Sequence, residues 1–390
     1  MRKLFTKLPV AVTSVVLCAA ADTNALRHFL IANDDSAASL PPSTVSFFAI
    51  GTDGSLHAPT SVSTGGNGMA GGYFGIERVI VTTGPEDPCI YASNAQSENI
   101  AGIDFRTREL VGLFRGSRPD NKLARNGIGM AIGGSRLYAT FSGSGNIGEF
   151  AIQRGCKLQF IGEVHAEGLH GGTAEGIAIR GDMMVVTYGD GSVESFDISG
   201  TLPVSHGDAQ YSSGSRDDLA PGAVDITSDG HYAIFGGGST ASAVEVSDIS
   251  SGKLTTTKVY HLGAAWNSGS VRLSPDERVL YVSNSSAGRV TAAFFDRATG
   301  AVRPGCTSAP LKGYYSAFTY LGEVATELAT GMGGLLYVPE LGDGRNSYIG
   351  VLRFTSNGKG CTIAEAINSP VAGSPASKLL SIGVFPPRPF

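Results

Sequence analysis

LYVSN, Leu280 to Asn284, is followed by the polar, glycine-containing SSAG and then by RVTAAFFDRATG. An apolar run, a turn-prone break and a second apolar run read as two antiparallel strands. Recurrence of that stretch decides the fold. Strands of the same kind end at Asn33 (FLIAN), Asn94 (IYASN), Phe141 (LYATF), Tyr188 (MVVTY), Gly236 (YAIFG), Asn284 (LYVSN) and Glu340 (LYVPE), at successive intervals of 61, 47, 47, 48, 48 and 56 residues. Near-constant spacing over so many copies is the signature of a repeat architecture.

The material around each anchor keeps one order. SGSVRLSPDERVLYVSNSSAGRVTAAFFDRATGAVRP reads as an inner strand, a turn at SPDER, a second strand, a polar loop, a third strand and a hairpin at DRATG that leads to an outer strand. Val, Ile, Tyr and Phe supply strand propensity, while SDG, GDG and ATG tolerate turn dihedrals. Four short antiparallel strands every 47 or 48 residues make a propeller blade, so the fold class is all-β, a seven-bladed β-propeller of four-stranded antiparallel blades. The ends agree in phase. RHFLIAN is already a second strand and KLLSIGVFPP is a first strand with no second after it, so the C-terminal strand is expected to complete the first blade and close the ring. GDGS, Gly189 to Ser192, falls between two strands and reads as a hairpin rather than a phosphate loop. The long segments Gly65 to Pro88 and Lys312 to Gly333 read as excursions from blades, the latter with a short helix around Gly322 to Leu328.

Residues 1–25 are set apart: Arg2, Lys3 and Lys7 precede the apolar LPVAVTSVVLCAAA, the pattern of a secretory signal. Residues 26–390 are then one propeller domain, expected to be secreted or periplasmic and monomeric, with no membrane span. Taking residues 1–25 away from 29 basic and 34 acidic residues leaves 26 and 33, a net charge near −7, which argues against a nucleic-acid partner. Four cysteines remain, and three pairings are open. The repeat phase favours Cys89 with Cys156 and Cys306 with Cys361, because it puts each pair in neighbouring modules.

Connections from one blade to the next share a face with the loops between second and third strands, so binding groups are sought there. Arg125, His165, His170, Glu175, Asp217 and Trp266 fall in the former, and Asp34, Asp35, Asp190, Asp343 and Arg345 follow anchors. EVHAEGLHGGTAEG is the densest segment: His170 and Glu175 are candidate proton-transfer residues, and imidazole with carboxylate also permits a divalent metal ion, though none is required. Arg125, His165, Trp266, Glu340 and Arg345 are candidate substrate-binding residues. Asn284, in NSS, reads as a glycosylation acceptor where the host supports that modification.

IYASN and LYVSN, with LYVPE as a weaker relative, resemble the YVTN-type propeller repeat. The organisation from Leu26 to Pro386 resembles the seven-bladed lactonase-like family that includes 6-phosphogluconolactonases and carboxymuconate-cyclising enzymes. That resemblance implies hydrolysis of a sugar-derived or related carboxylic lactone, with His170 or Glu175 accepting a proton from water and Arg125 or Arg345 stabilising negative charge. The rival reading is a noncatalytic secreted propeller that binds a protein, a glycan or a small ligand through its polar loops.

Overall fold

In a computed structural model of the chain, the residues described are 28–35, 42–68, 78–82, 88–116, 128–141, 143–211, 221–237, 243–255, 257–262, 268–284, 287–313, 324–325, 335–340, 346–357, 360–366, 368–375 and 378–385. Seven antiparallel sheets follow one another along the chain. Every anchor is the second strand of one of them: Phe29–Asp35, Cys89–Asn94, Arg136–Phe141, Met183–Tyr188, Tyr232–Gly237, Val279–Asn284 and Leu335–Glu340 define blades 1 to 7. Blade 6 has the order read from the sequence, Ser268–Leu273, Val279–Asn284, Arg289–Asp296 and Ala301–Thr307. In blades 4 and 7 two short segments share the outer edge, Val204–Ser205 with Gln210–Tyr211 and Cys361–Glu365 with Val371–Pro375.

Blade 1 is closed as the phase of the ends requires. Lys378–Phe385 lies antiparallel to Phe29–Asp35, pairing Phe29 with Phe385 and Asn33 with Ser381. The two long segments do not stay outside the sheets. Val79–Val81, within Gly65 to Pro88, is the inner strand of blade 2, and Val324–Ala325 pairs with Leu336 and Leu335 as the inner strand of blade 7. The expected helix around Gly322 to Leu328 is therefore corrected at Val324 and Ala325, where two β-branched or small residues find a ladder partner; its other positions, and residues 1–27, lie outside the described residues.

The repeated Leu-Tyr pair explains why the blades pack. Successive side chains on a strand point to opposite faces, and here both faces are covered. Leu280 packs toward blade 5, beside Ile234 and Val244, and Tyr281 packs toward blade 7, beside Leu336 and Val338. Leu336 and Tyr337 repeat the arrangement one seam on, as do Leu137 and Tyr138. Seven apolar clusters result, one in each seam between adjacent blades. Each fully buried Leu or Tyr contributes roughly 1.5–3 kcal/mol by leaving water. At the closing seam Tyr337 Oη also donates to Gly54 O at 2.9 Å, tying blade 7 to blade 1.

Both favoured disulfides are present. Cys89–Cys156 joins blade 2 to blade 3 with Cα atoms 5.3 Å apart, and Cys306–Cys361 joins the outer strands of blades 6 and 7 with Cα atoms 5.7 Å apart. A second pattern sits in the anchors themselves. The hydroxyl before the last anchor residue accepts an N–H from the inner strand: Gly129 N to Thr140 Oγ1, Gly176 N to Thr187 Oγ1 and Ser270 N to Ser283 Oγ. In blades 4 and 6 the inner strand is irregular at that level, so the hydroxyl serves a donor that the ladder skips.

Candidate functional site

The connection from blade 3 to blade 4 is built on glycines. Glu167 and Thr173 form an isolated antiparallel bridge, Gly168 N donates to Gly172 O at 2.8 Å, and Gly171 takes φ +79°. The loop closes over Asp190, which follows the blade 4 anchor. A Cβ on Gly168 would lie 2.5 Å from the Asp190 carboxylate and one on Gly172 would lie 2.6 Å away, so only glycine admits this approach. Asp190 accepts the His170 N–H at 2.7 Å, the Gly172 N–H at 3.4 Å, and both the N–H and Oγ–H of Ser192 at 3.0 and 2.6 Å. Burial alone would raise its pKa, but these donors outweigh it and hold the carboxylate below its usual range.

Glu175 lies beneath this loop on the inner strand Ala174–Arg180, where Thr140 of blade 3 donates to its carbonyl oxygen at 3.1 Å. It is 4% exposed, and its Oε1 occupies the space a Cβ on Gly189 would need. Burial first, and then the Asp190 charge, push its carboxyl well above the ordinary value. Two neighbouring carboxyls thus have their proton affinities driven apart, the arrangement an acid–base pair uses.

The other candidates are placed differently. His170 is exposed, with its ring stacked on Tyr211 at a centroid distance of 5.9 Å, and reaches the pair through its backbone. His165 is also exposed, held between Asn146 Oδ1 at 3.2 Å and Glu167 Oε2 at 3.3 Å. Glu340 is in another part of the ring, in the seam between blades 6 and 7, where Gly313 and Gly350 make room for its carboxylate. Both its oxygens lack a hydrogen-bond partner among the described residues, and the Gly313 N–H faces them without reaching hydrogen-bond geometry. Burial and the Glu365 charge raise its pKa to about 8, against the Gly313 N–H and Lys312. Arg125, Trp266, Arg345, Asp217 and Asp343 lie outside the described residues. Asn284 is fully buried and its Nδ2 donates to Thr291 Oγ1 at 2.8 Å, which overturns its reading as a glycan acceptor. Among the described residues no three His, Cys, Asp or Glu side chains gather as a metal site would need.

Asp190 and Asp34 are among the candidates that follow anchors, though the sequence gives neither a role of its own; the trio of Ser195, His206 and Asp208 is not legible in it. Asp34 is 1% exposed and burial lifts its carboxyl to about 7, against hydroxyl donation from Ser46 and Thr44. Ser195, His206 and Asp208 form a trio, but Ser195 Oγ gives its proton to Asp208 at 2.5 Å and accepts from His206 Nδ1 at 2.9 Å. Asp208 also accepts the Leu254 N–H at 2.7 Å, and Ser195 is fully buried, so the trio knots blade 4 to blade 5 and leaves no nucleophile.

No protein-family model matches the chain, and no curated protein resembles it in sequence. Solved structures do share its shape. A Bacteroides uniformis protein provisionally described as a 6-phosphogluconolactonase superposes with a TM-score of 0.68 at 14% identity, covering 92% of this chain and 99% of its own. A Bacteroides fragilis protein with the same provisional description gives 0.67 at 14% identity, over 92% and 98%. The periplasmic gluconolactonase of Pseudomonas aeruginosa gives 0.63 at 12% identity, over 90% and 99%. The chain thus has the seven-bladed fold of lactonase-like propellers; at these identities the likeness establishes shape and leaves the reaction to the site.

Proposed function

We propose that this protein is a lactonase-like hydrolase acting on a sugar-derived or related carboxylic lactone outside the cytoplasm. The observation that carries the reading is Glu175: a carboxyl on a residue only 4% exposed, its pKa raised by burial, packed beside Asp190 under the glycine loop. In its ionised form Glu175 takes a proton as water adds to the lactone carbonyl. It returns that proton to the ring oxygen as the C–O bond breaks, giving the hydroxy acid. Asp190 holds the loop over Glu175 and keeps its proton affinity high. His170, exposed on the same loop, remains a proposed proton-transfer residue, and Arg125 and Arg345 remain the proposed anion contacts. The signal-like N terminus and the two disulfides support an exported protein, and among the described residues no helix is long and apolar enough to cross a membrane.

The test is proton release from glucono-δ-lactone by the chain lacking residues 1–25, across pH. A rate that rises with pH to a plateau and disappears in Glu175→Gln supports the assignment. Saturable binding of the lactone without turnover would transfer the site to the noncatalytic reading.

A further inference from the structure

The outer edge of blade 4 breaks where that of blade 6 runs on as Ala301–Thr307. Val204–Ser205 pairs with Asp197 and Phe196, the chain swings out through Gly207 at φ +65°, and Gln210–Tyr211 returns to pair with Val193 and Ser192. Asp208 pins the excursion, accepting the Ser195 N–H at 2.9 Å and the Leu254 N–H at 2.7 Å. The knot of Ser195, His206 and Asp208 therefore delivers Tyr211 to the level of the glycine loop.

Tyr211 stands opposite Ser192, whose hydroxyl serves that loop twice, donating to Asp190 at 2.6 Å and accepting the Leu169 N–H at 3.2 Å. The loop presents His170 to Tyr211, and the two rings lie 16° from parallel with centroids 5.9 Å apart. The His170 N–H is fixed on Asp190 at 2.7 Å. A side chain on a glycine-rich loop is thus held at both its backbone and its ring, where it would otherwise sample several rotamers. Tyr211 Oη is buried and has no hydrogen-bond partner among the described residues, so the residue contributes the face of its ring and not a polar contact.

The stack is open on one side. Tyr211 covers one face of the imidazole, yet His170 remains exposed, and Leu169 beside it is 46% exposed. An aromatic face is electron-rich and attracts the weakly positive C–H groups of a saturated ring. A six-membered sugar ring with equatorial hydroxyls offers C–H groups on its faces and keeps its hydroxyls at its edge. We infer that the His170–Tyr211 stack, bordered by Leu169, is a subsite for the C–H face of a pyranose-type ring, with Tyr211 as the positioning residue that holds the imidazole flat. The inference rests on the reading of Glu175 as the hydrolytic group and specifies the ring that this group meets.

Calorimetric titration of the whole chain with methyl β-D-glucopyranoside, which has the ring but no lactone, reads the subsite apart from proton transfer. One saturable site per chain is expected. Tyr211→Leu should weaken it about tenfold, as should His170→Ala, whose exposed side chain is not needed for folding. Tyr211→Phe, which keeps the ring, should bind within about threefold of the wild type. In turnover of glucono-δ-lactone, Tyr211→Leu should raise KM about tenfold and change kcat less than about threefold. Absence of saturable glucoside binding, equal affinity in the wild type and Tyr211→Leu, or equal losses in Tyr211→Phe and Tyr211→Leu overturns the inference. Lactone turnover without glucoside binding would overturn the subsite and leave hydrolysis standing. Glucoside binding that depends on Tyr211, without turnover, would keep the subsite and overturn the hydrolase.

Discussion

Blades 4 and 7 each bury a glutamate near the face of the blade-to-blade connections, and in both a glycine makes the space: Gly189 for Glu175, Gly313 and Gly350 for Glu340. Burial raises both carboxyls. They differ in what surrounds the acid. Around Glu175 a second carboxylate is pinned by backbone and hydroxyl donors under a glycine loop, and the residue keeps 4% exposure. Glu340 is fully buried, and the charges that act on it among the described residues, Lys312 and Glu365, pair with each other at 3.7 Å. A raised pKa therefore marks a buried acid, and only the company of a differently tuned group with access marks one suited to proton transfer.

The comparison breaks most visibly in turnover. Glu175→Gln should lower kcat/KM for glucono-δ-lactone by about 100- to 10,000-fold, while Glu340→Gln should change it less than about threefold; equal losses would erase the distinction.

Stability against pH should then carry a share from Glu340, beside those of the buried Asp34 and Glu175. The folded pKa of Glu340, about 8, lies above the ordinary 4.5, so the folded state binds the extra proton. The stability this contributes is full below pH 4.5 and is lost as pH rises toward 8. The loss amounts to at most about 5 kcal/mol. Urea unfolding from pH 5 to pH 8.5 should show the decline, and Glu340→Gln should make it shallower. A wild-type curve that rises over this range would contradict the buried, neutral acid.

Blade 7 is also the blade with a covalent tie at its rim. Replacing Cys306 and Cys361 with Ala should destabilise the chain by about 2–4 kcal/mol, read by thermal unfolding, and should leave turnover at Glu175 nearly intact. Loss of turnover in parallel with stability would show that the two blades are not independent.

A smaller effect is expected at Asp190. Asp190→Asn keeps the shape but turns one of the two accepting oxygens into a donor, leaving two of the four donors without an acceptor, and should cost roughly 1–3 kcal/mol. It also removes a like charge, so the turnover profile should shift to lower pH. An unmoved profile would separate Asp190 from Glu175.

The repeat was legible because its signals are local. A strand alternates every two residues, a blade closes within about fifty, and the Leu-Tyr pair faces two seams in every copy that has it. Those signals also carried the closure at Lys378–Phe385 and both cysteine pairs. Val324–Ala325 escaped because two residues show no periodicity; their strand state comes from Leu335 and Leu336. In the same way EGLHGG drew attention to His170, while the group its backbone serves, Asp190, lies twenty residues away.

By itself, then, the sequence determined the number of blades and the phase of closure and favoured the covalent ties, all consequences of spacing along the chain. Only the tertiary structure decided which acids are buried and which rings meet. Desolvation and stacking depend on groups brought together from distant positions: Glu175 against Gly189, Glu340 against Gly313 and Gly350, and His170 against Tyr211.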